Sequence, residues 1–165
     1  MTTIAVTGHM DLTEDTVPLV RAALDDLLKP YGDDGDLIGV SCIAKGADSL
    51  FAEAVLGVGG RLTVVIPSQD YRQKKVKADH AALFDRLTEA ADEVLVLPNH
   101  TADRQAYEAA NAVLLRRADR LVAVWDGTPP GRKGGGTADT VEEARAAGIP
   151  VDVVWPGGAA RRSAE

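Results

Sequence analysis

The stretch Leu121-Val122-Ala123-Val124-Trp125-Asp126-Gly127, followed after a Pro- and Gly-rich segment by Gly134-Gly135-Gly136-Thr137, decides the fold class of this 165-residue chain. An unbroken apolar run that ends in a polar turn predicts a strand covered on both faces, as in a parallel sheet. Segment 127–136 holds Pro129, Pro130 and a glycine triplet, a composition that neither helix nor strand tolerates. Thr137 opens a helical stretch that stops at Gly148, just before Pro150. Buried strand, glycine-rich turn and helix, in that order, make one β/α unit.

The same unit recurs along the chain. Further Val- and Ile-rich runs lie at 4–7, 37–43, 61–66, 93–97 and 151–155, and their near-continuous apolarity predicts strands covered on both faces. Between them, Ala47, Leu50, Phe51, Ala54, Val55 and Val58 form a stripe with helical spacing. A first helix is expected from Asp15 or Thr16, with Pro18 in its first turn, ending before Pro30 and Gly32 and turning Leu19, Ala23, Leu24 and Leu27 to the sheet. Two more are expected at 78–91, through Leu83, Phe84 and Leu87, and at 102–117, through Ala106, Ala109, Val113 and Leu114. Strands alternating with helices of this length predict right-handed crossovers, hence an α/β fold with a doubly wound, mostly parallel sheet flanked by helices on both faces. Ligands of such sheets bind beyond the carboxyl ends of the strands.

Length and composition indicate one domain, 1–156, with a frayed tail at 157–165 that begins Gly157-Gly158. At 45% hydrophobic residues the core needs no staple, and the single cysteine, Cys42, reads as a small buried hydrophobe in a reducing compartment. No basic leader and no apolar run approaching ~20 residues is present, so a cytoplasmic location is expected, with no signal peptide or membrane span. A net charge of −7 opposes a broad grip on nucleic acid, and 4% aromatic residues oppose a base-stacking platform. A phosphate ligand must therefore be held locally.

Three glycine-bearing turns offer such places. Gly134, Gly135 and Gly136 at a helix start would present free N–H groups and the helix dipole to a phosphate or carboxylate, with the Thr137 hydroxyl beside them; the plain alternative is a flexible connection. In Ala44-Lys45-Gly46-Ala47-Asp48-Ser49, Gly46 admits a ligand or a tight turn, and Asp48 complements a helix N-terminus. In Thr7-Gly8-His9-Met10, Gly8 permits close approach and His9 offers a hydrogen bond. None is a dinucleotide fingerprint or an NTP phosphate loop.

Asp126, at a strand end, is the acidic residue best placed to accept ribose hydroxyls or to steady an oxocarbenium-like transition state; otherwise it forms the turn before Gly127. Asp139 lies in the first turn of the last helix and faces the loop, whereas Glu142 and Glu143 read as a solvated face. The cations Arg72, Lys74, Lys75 and Lys77 read as a solvated helix start or as a lid over an anion. His9, His80 and His100 lack ligand spacing, so no metal site and no cofactor are expected. No serine-nucleophile elbow surrounds Ser41, Ser49 or Ser68.

Taken together, Thr7-Gly8-His9, Lys45-Gly46-Ala47-Asp48, Asn111, Ala123-Val124-Trp125-Asp126-Gly127 and Gly134-Gly135-Gly136-Thr137 resemble the SLOG superfamily from Ile4 to Pro156. That superfamily includes the lonely guy phosphoribohydrolases, the DNA-processing protein A family and nucleotide-sensing domains of bacterial defence systems. The resemblance implies a Rossmann-like sheet and a nucleotide or nucleotide-derived ligand at the glycine-bearing strand ends. It implies phosphates on Gly46 and on Gly134 to Thr137, ribose on Asp126 or Asn111, and a homodimer or tetramer. Three positions depart from the pattern. Thr140 stands where the lonely guy enzymes carry Glu, Ala110 where they carry Arg, and Met10 where close look-alikes read T-G-H-R. A sensor or carrier is therefore expected. The alternative is an N-glycosidic hydrolase or transferase of nucleoside monophosphates, with Asp126 and Asp139 as catalytic residues; a third reading is an interaction role with vestigial glycine sites.

Overall fold

The computed structural model describes residues 1–131 and 136–162. In chain order the elements are β1 (Thr2–Gly8), α1 (Thr16–Asp33), β2 (Leu37–Ser41), α2 (Ala47–Gly57), β3 (Arg61–Ile66), α3 (Tyr71–Lys75), α4 (Ala78–Ala90), β4 (Glu93–Val96), α5 (Arg104–Arg117), β5 (Arg120–Val124), α6 (Thr137–Ala146) and β6 (Val151–Val154). The strands form one six-stranded sheet in the order β4-β3-β2-β1-β5-β6, with every neighbouring pair parallel. This is the α/β, Rossmann-like, doubly wound architecture.

Alternation along the strands divides the core. Ile4, Val6, Val122 and Val124 pack against Val20, Leu24 and Leu28 of α1 and Phe51 and Val55 of α2. Ala5, Val40, Val65 and Leu121 face the other way, onto Ala110 and Leu114 of α5 and Ala144 of α6. Leu62 and Val64 meet Phe84 and Leu87 of α4. Burying one such aliphatic or aromatic side chain contributes ~1.5–3 kcal/mol, so these three clusters are where the fold gains its stability.

The chain runs outward from β1 to β4, then returns to place β5 on the other side of β1. The strand order therefore reverses between β1 and β5, and their carboxyl ends diverge there into a crevice.

Four expectations are corrected. First, α1 continues through Pro30 to Asp33. The lost donor would have served Asp26, whose exposed position leaves its carbonyl to water, while Leu28 and Tyr31 pack on the core and hold the last turn. Second, Val20, Leu24 and Leu28 of α1 are fully buried with Thr16, and the expected Ala23 and Leu27 pack half-buried on the same core, but Leu19 is 37% exposed. Thr16 faces inward because its hydroxyl accepts from the Ala160 N–H at 2.8 Å.

Third, β4 is not covered on both faces. It is an edge strand with Val94 and Val96 exposed, so its β-branched composition reflects strand geometry rather than burial, and β6 at the other edge likewise leaves Val153 exposed. Fourth, residues 157–162 are not frayed. Arg161 forms an antiparallel bridge with Leu12, the Thr13 N–H donates to Ala160 O at 3.1 Å, and the Arg162 N–H donates to Asp11 O at 2.6 Å. A segment that completes backbone hydrogen bonds and covers Leu12 has reason to stay down.

Candidate functional site

The carboxyl ends of β1 and β5 are fastened by side chains. Gly8 is required where β1 passes between its neighbours: a Cβ there would lie 2.4 Å from Ala47 Cβ and 2.9 Å from Val124 Cβ. His9 follows, nearly buried, with its ring edge-on to Trp155 at 5.7 Å between centroids. Its Nε2 lies 3.1 Å from Asp126 Oδ1 and 3.1 Å from the Asp126 backbone nitrogen. With Nε2 protonated the ring donates to the carboxylate; with Nε2 bare it accepts the amide proton. Burial, then the Arg161 guanidinium, lower the His9 pKa, against the pull of Asp126 and Asp11.

Asp126 closes a turn of its own. Its Oδ1 accepts the Thr128 N–H at 2.9 Å, and Arg161 Nη1 stands 3.7 Å from Oδ2. Burial opposes the charge, but the Thr128 donation and His9 outweigh it and bring the carboxyl down to about 2. Arg161 Nε also donates to Asp11 Oδ1 and Oδ2 at 2.9 and 3.1 Å. The C-terminal segment thus brings its arginine to the mouth of the β1–β5 crevice.

The second wall begins at β2. Ile43 is a buried, non-glycine residue with φ +46°, held by donation of its N–H to Ser41 Oγ and by His80 Nε2 and Ser49 Oγ on its carbonyl. Such a backbone persists only where its surroundings over-determine it, and here it reverses the chain into α2. Gly46, at φ +88°, sits against the backbone of His9 and Met10, where a Cβ would come within 2.7 Å of His9 O. Asp48 follows in the first turn of α2. Burial pushes its carboxyl up to about 7, partly opposed by a hydrogen bond from the Ala44 backbone.

Between these walls lies a crevice of about 760 Å³. It brings together Gly8, His9, Asp48, Asn111, Gly136, Thr137 and Asp139 of the residues expected from the sequence. Gly46 and Asp126 stand behind its lining, the one packed on the β1 loop and the other held in its turn. Gly134 and Gly135 lie outside the described residues. Asp139 is also a helix cap, since its Oδ2 accepts the Gly136 N–H at 3.1 Å.

Several lining residues carry no sequence motif. Tyr107, Ala110, Asn111 and Leu114 of α5 share the crevice face at spacings of three and four, a pattern that would have shown Tyr107 once Asn111 was chosen. Tyr71, from α3, and Arg161, from the tail, arrive through tertiary packing. Of the cationic run, Arg72 is bound to Asp85 by two bonds of 3.0 Å, whereas Lys75 and Lys77 line the crevice. Cys42 lines it too, its thiol pushed far up by burial and so held neutral. Among the described residues no group of three His, Cys, Asp or Glu is arranged to hold a metal, and no helix is long and apolar enough to cross a membrane.

Neither a family model nor a curated protein matches the sequence. Solved structures do. DNA processing protein A from Streptococcus pneumoniae matches 96% of the chain at 21% identity with a TM-score of 0.69, and the chain spans 51% of that protein. DNA processing protein A from Helicobacter pylori, described by its single-stranded DNA binding mode, matches 92% of the chain at 17% identity with a TM-score of 0.66, over 64% of its own length. The molybdenum cofactor binding protein from Rippkaea orientalis matches 92% at 17% identity with a TM-score of 0.58, over 75% of its length. The chain therefore has the Rossmann-like fold that these proteins share.

Proposed function

We propose that the crevice binds a nucleotide or nucleotide-derived small molecule and that the protein acts as its sensor or carrier. The observation that carries this reading is the crevice itself, at the reversal of strand order, lined by Gly8, His9, Asn111 and the α6 start at Gly136 and Thr137. Its volume suits a mononucleotide-sized ligand, since small-molecule sites span ~300–1,000 Å³. Phosphate falls to the amino end of α6, where Gly134 and Gly135 precede Gly136, and Lys75 and Lys77 are cations on the same lining. Asn111 is the better-placed ribose partner. Asp126 holds His9 and the turn at Thr128, and its role is positioning.

The hydrolytic alternative gains little from Asp126 or Asp139. Asp126 stands behind the crevice lining, bound to His9 and the Thr128 amide, and Asp139 already caps α6. Two of the similar structures bear on the ligand class by what is said of them: one binds single-stranded DNA, the other the molybdenum cofactor. A net charge of −7 favours the small molecule here. Self-association into a dimer or tetramer belongs to the same proposal.

The test is to incubate the protein with nucleoside monophosphates, ADP-ribose, NAD and cyclic nucleotides, ultrafilter, and analyse both fractions by mass spectrometry. Intact ligand retained by the wild type and lost in Asn111→Ala supports the reading. Retention of none overturns it, and release of free base with sugar phosphate moves the protein to the enzymatic alternative.

A further inference from the structure

We propose that the end of the crevice built by Asp48, Tyr71 and Tyr107 is a subsite for a heterocycle carrying a 2-amino-4-oxopyrimidine edge, the edge shared by guanine and the pterins, with the Asp48 carboxylate as its acceptor. This rests on the nucleotide-binding reading of the crevice and names the ring that the reading leaves open.

Asp48 lines the crevice from the first turn of α2, where the helix dipole favours a negative charge. No ion pair found among the described residues includes it. Lys45, three residues earlier, is turned to Asp79 at 2.6 Å, Arg72 to Asp85 and Arg161 to Asp11 and Asp126. Asp48 thus lines the crevice with no ion-pair partner within 4 Å among the described residues, although Lys75 and Lys77 share the lining. Around it stand Cys42 as a neutral thiol, the buried Tyr71, and Tyr107, whose ring is edge-on to Tyr71 at 6.4 Å. Aromatic walls suit a flat ring.

A carboxylate presents two acceptor oxygens side by side and is best satisfied by two parallel N–H donors. Guanine and pterins offer that pair, a ring N–H beside an exocyclic amine. Hypoxanthine keeps the ring N–H alone, and adenine sets an acceptor beside its amine. Burial pushes the Asp48 carboxyl up to about 7 against one backbone donor, Ala44, and the two N–H groups of the ring would add to it.

The experiment is equilibrium dialysis of the full chain against GMP, IMP, XMP, AMP and neopterin. GMP or neopterin is expected to bind at least tenfold more tightly than IMP and AMP, the effect of deleting a hydrogen bond to a charged group. Which of the two is retained separates a guanine nucleotide from a pterin. In Asp48→Asn the amide presents one acceptor and one donor, the complement of the xanthine ring N–H and 2-oxo group. That variant is expected to lose the GMP or neopterin preference at least tenfold and to gain XMP. It should fold, because it removes a buried charge. Tyr107→Ala is expected to weaken binding at least fivefold through lost stacking. Equal binding of GMP, neopterin, IMP and AMP, or an unchanged ranking in Asp48→Asn, overturns the subsite and leaves the nucleotide reading standing. Binding of none overturns both.

Discussion

His9 and Asp126 are 117 positions apart in sequence, yet one imidazole nitrogen of His9 sits 3.1 Å from both the carboxylate and the backbone amide of Asp126. The contact spans the reversal point of the sheet and fastens the β1 and β5 loops before any ligand arrives. Residues on both sides of it then present a preformed wall to the crevice.

Loss of the Asp126 charge should weaken the fold in a pH-dependent way. The folded carboxyl lies near 2 against an ordinary value near 3.9, so its stabilisation is fully present above pH 4 and fades as pH falls through 2. With a discount for partial solvent access, Asp126→Asn is expected to cost ~1–2 kcal/mol at pH 7. Urea denaturation at pH 7 and near pH 2 checks this, and an equal difference at both would remove charge as the cause.

Asp48 should behave with the opposite sign. Its carboxyl is raised to about 7 in the fold, so the stability it allows is complete below about pH 4, declines as pH rises and is lost above 7. Asp48→Asn should match the wild type near pH 4 and exceed it at pH 8 by ~2 kcal/mol or more. Chemical denaturation across that range, without ligand, is the measurement; a variant less stable at pH 8 contradicts the burial argument.

The glycines separate close packing from backbone conformation. Gly8→Ala must push Ala47 and Val124 apart and should cost ~1–3 kcal/mol as overpacking. Gly46→Ala adds a φ of +88° to a Cβ contact with His9 and should cost more. Gly127→Ala, at φ +87° with nothing within 4 Å, should cost only the left-handed penalty of ~1–2 kcal/mol. Thermal melts should show the largest drop for Gly46→Ala, then Gly8→Ala, then Gly127→Ala, and a silent Gly8→Ala would mean that β1 has room to move.

Deleting residues 157–165 should destabilise the domain itself. Thr16 would lose its buried Ala160 partner and Leu12 its cover, at ~2 kcal/mol or a drop in Tm of ~4–8 °C. Hydrogen exchange offers a second check, because the Thr13 and Arg162 amides should be protected in the intact chain and Thr13 should lose protection in the deletion.

The strand and helix content was legible because it is local. The stripe from Ala47 to Val58, the apolar run before Trp125 and the pair Gly148 and Pro150 each announce their element within a few residues. The glycine-bearing turns were legible for the same reason, and the resemblance to the SLOG superfamily rests on them. The choice of Val20 over Leu19 on α1 was not, because both are apolar and the core they meet is built from distant parts of the chain. Nor was the exposure of β4, since edge and centre strands draw on the same β-branched residues.

By itself the sequence determined that the chain alternates strands and helices and that glycines mark the strand ends, since periodicity and backbone freedom act over neighbouring residues. The tertiary structure decided what those ends hold. Only strand order sets His9 beside Asp126, and only the docked tail brings Arg161 to them. Only the tertiary placement of α3 and α5 brings Tyr71 and Tyr107 onto the lining with Asp48. Charge, burial and hydrogen-bond partners are properties of places, and residues far apart in sequence make those places.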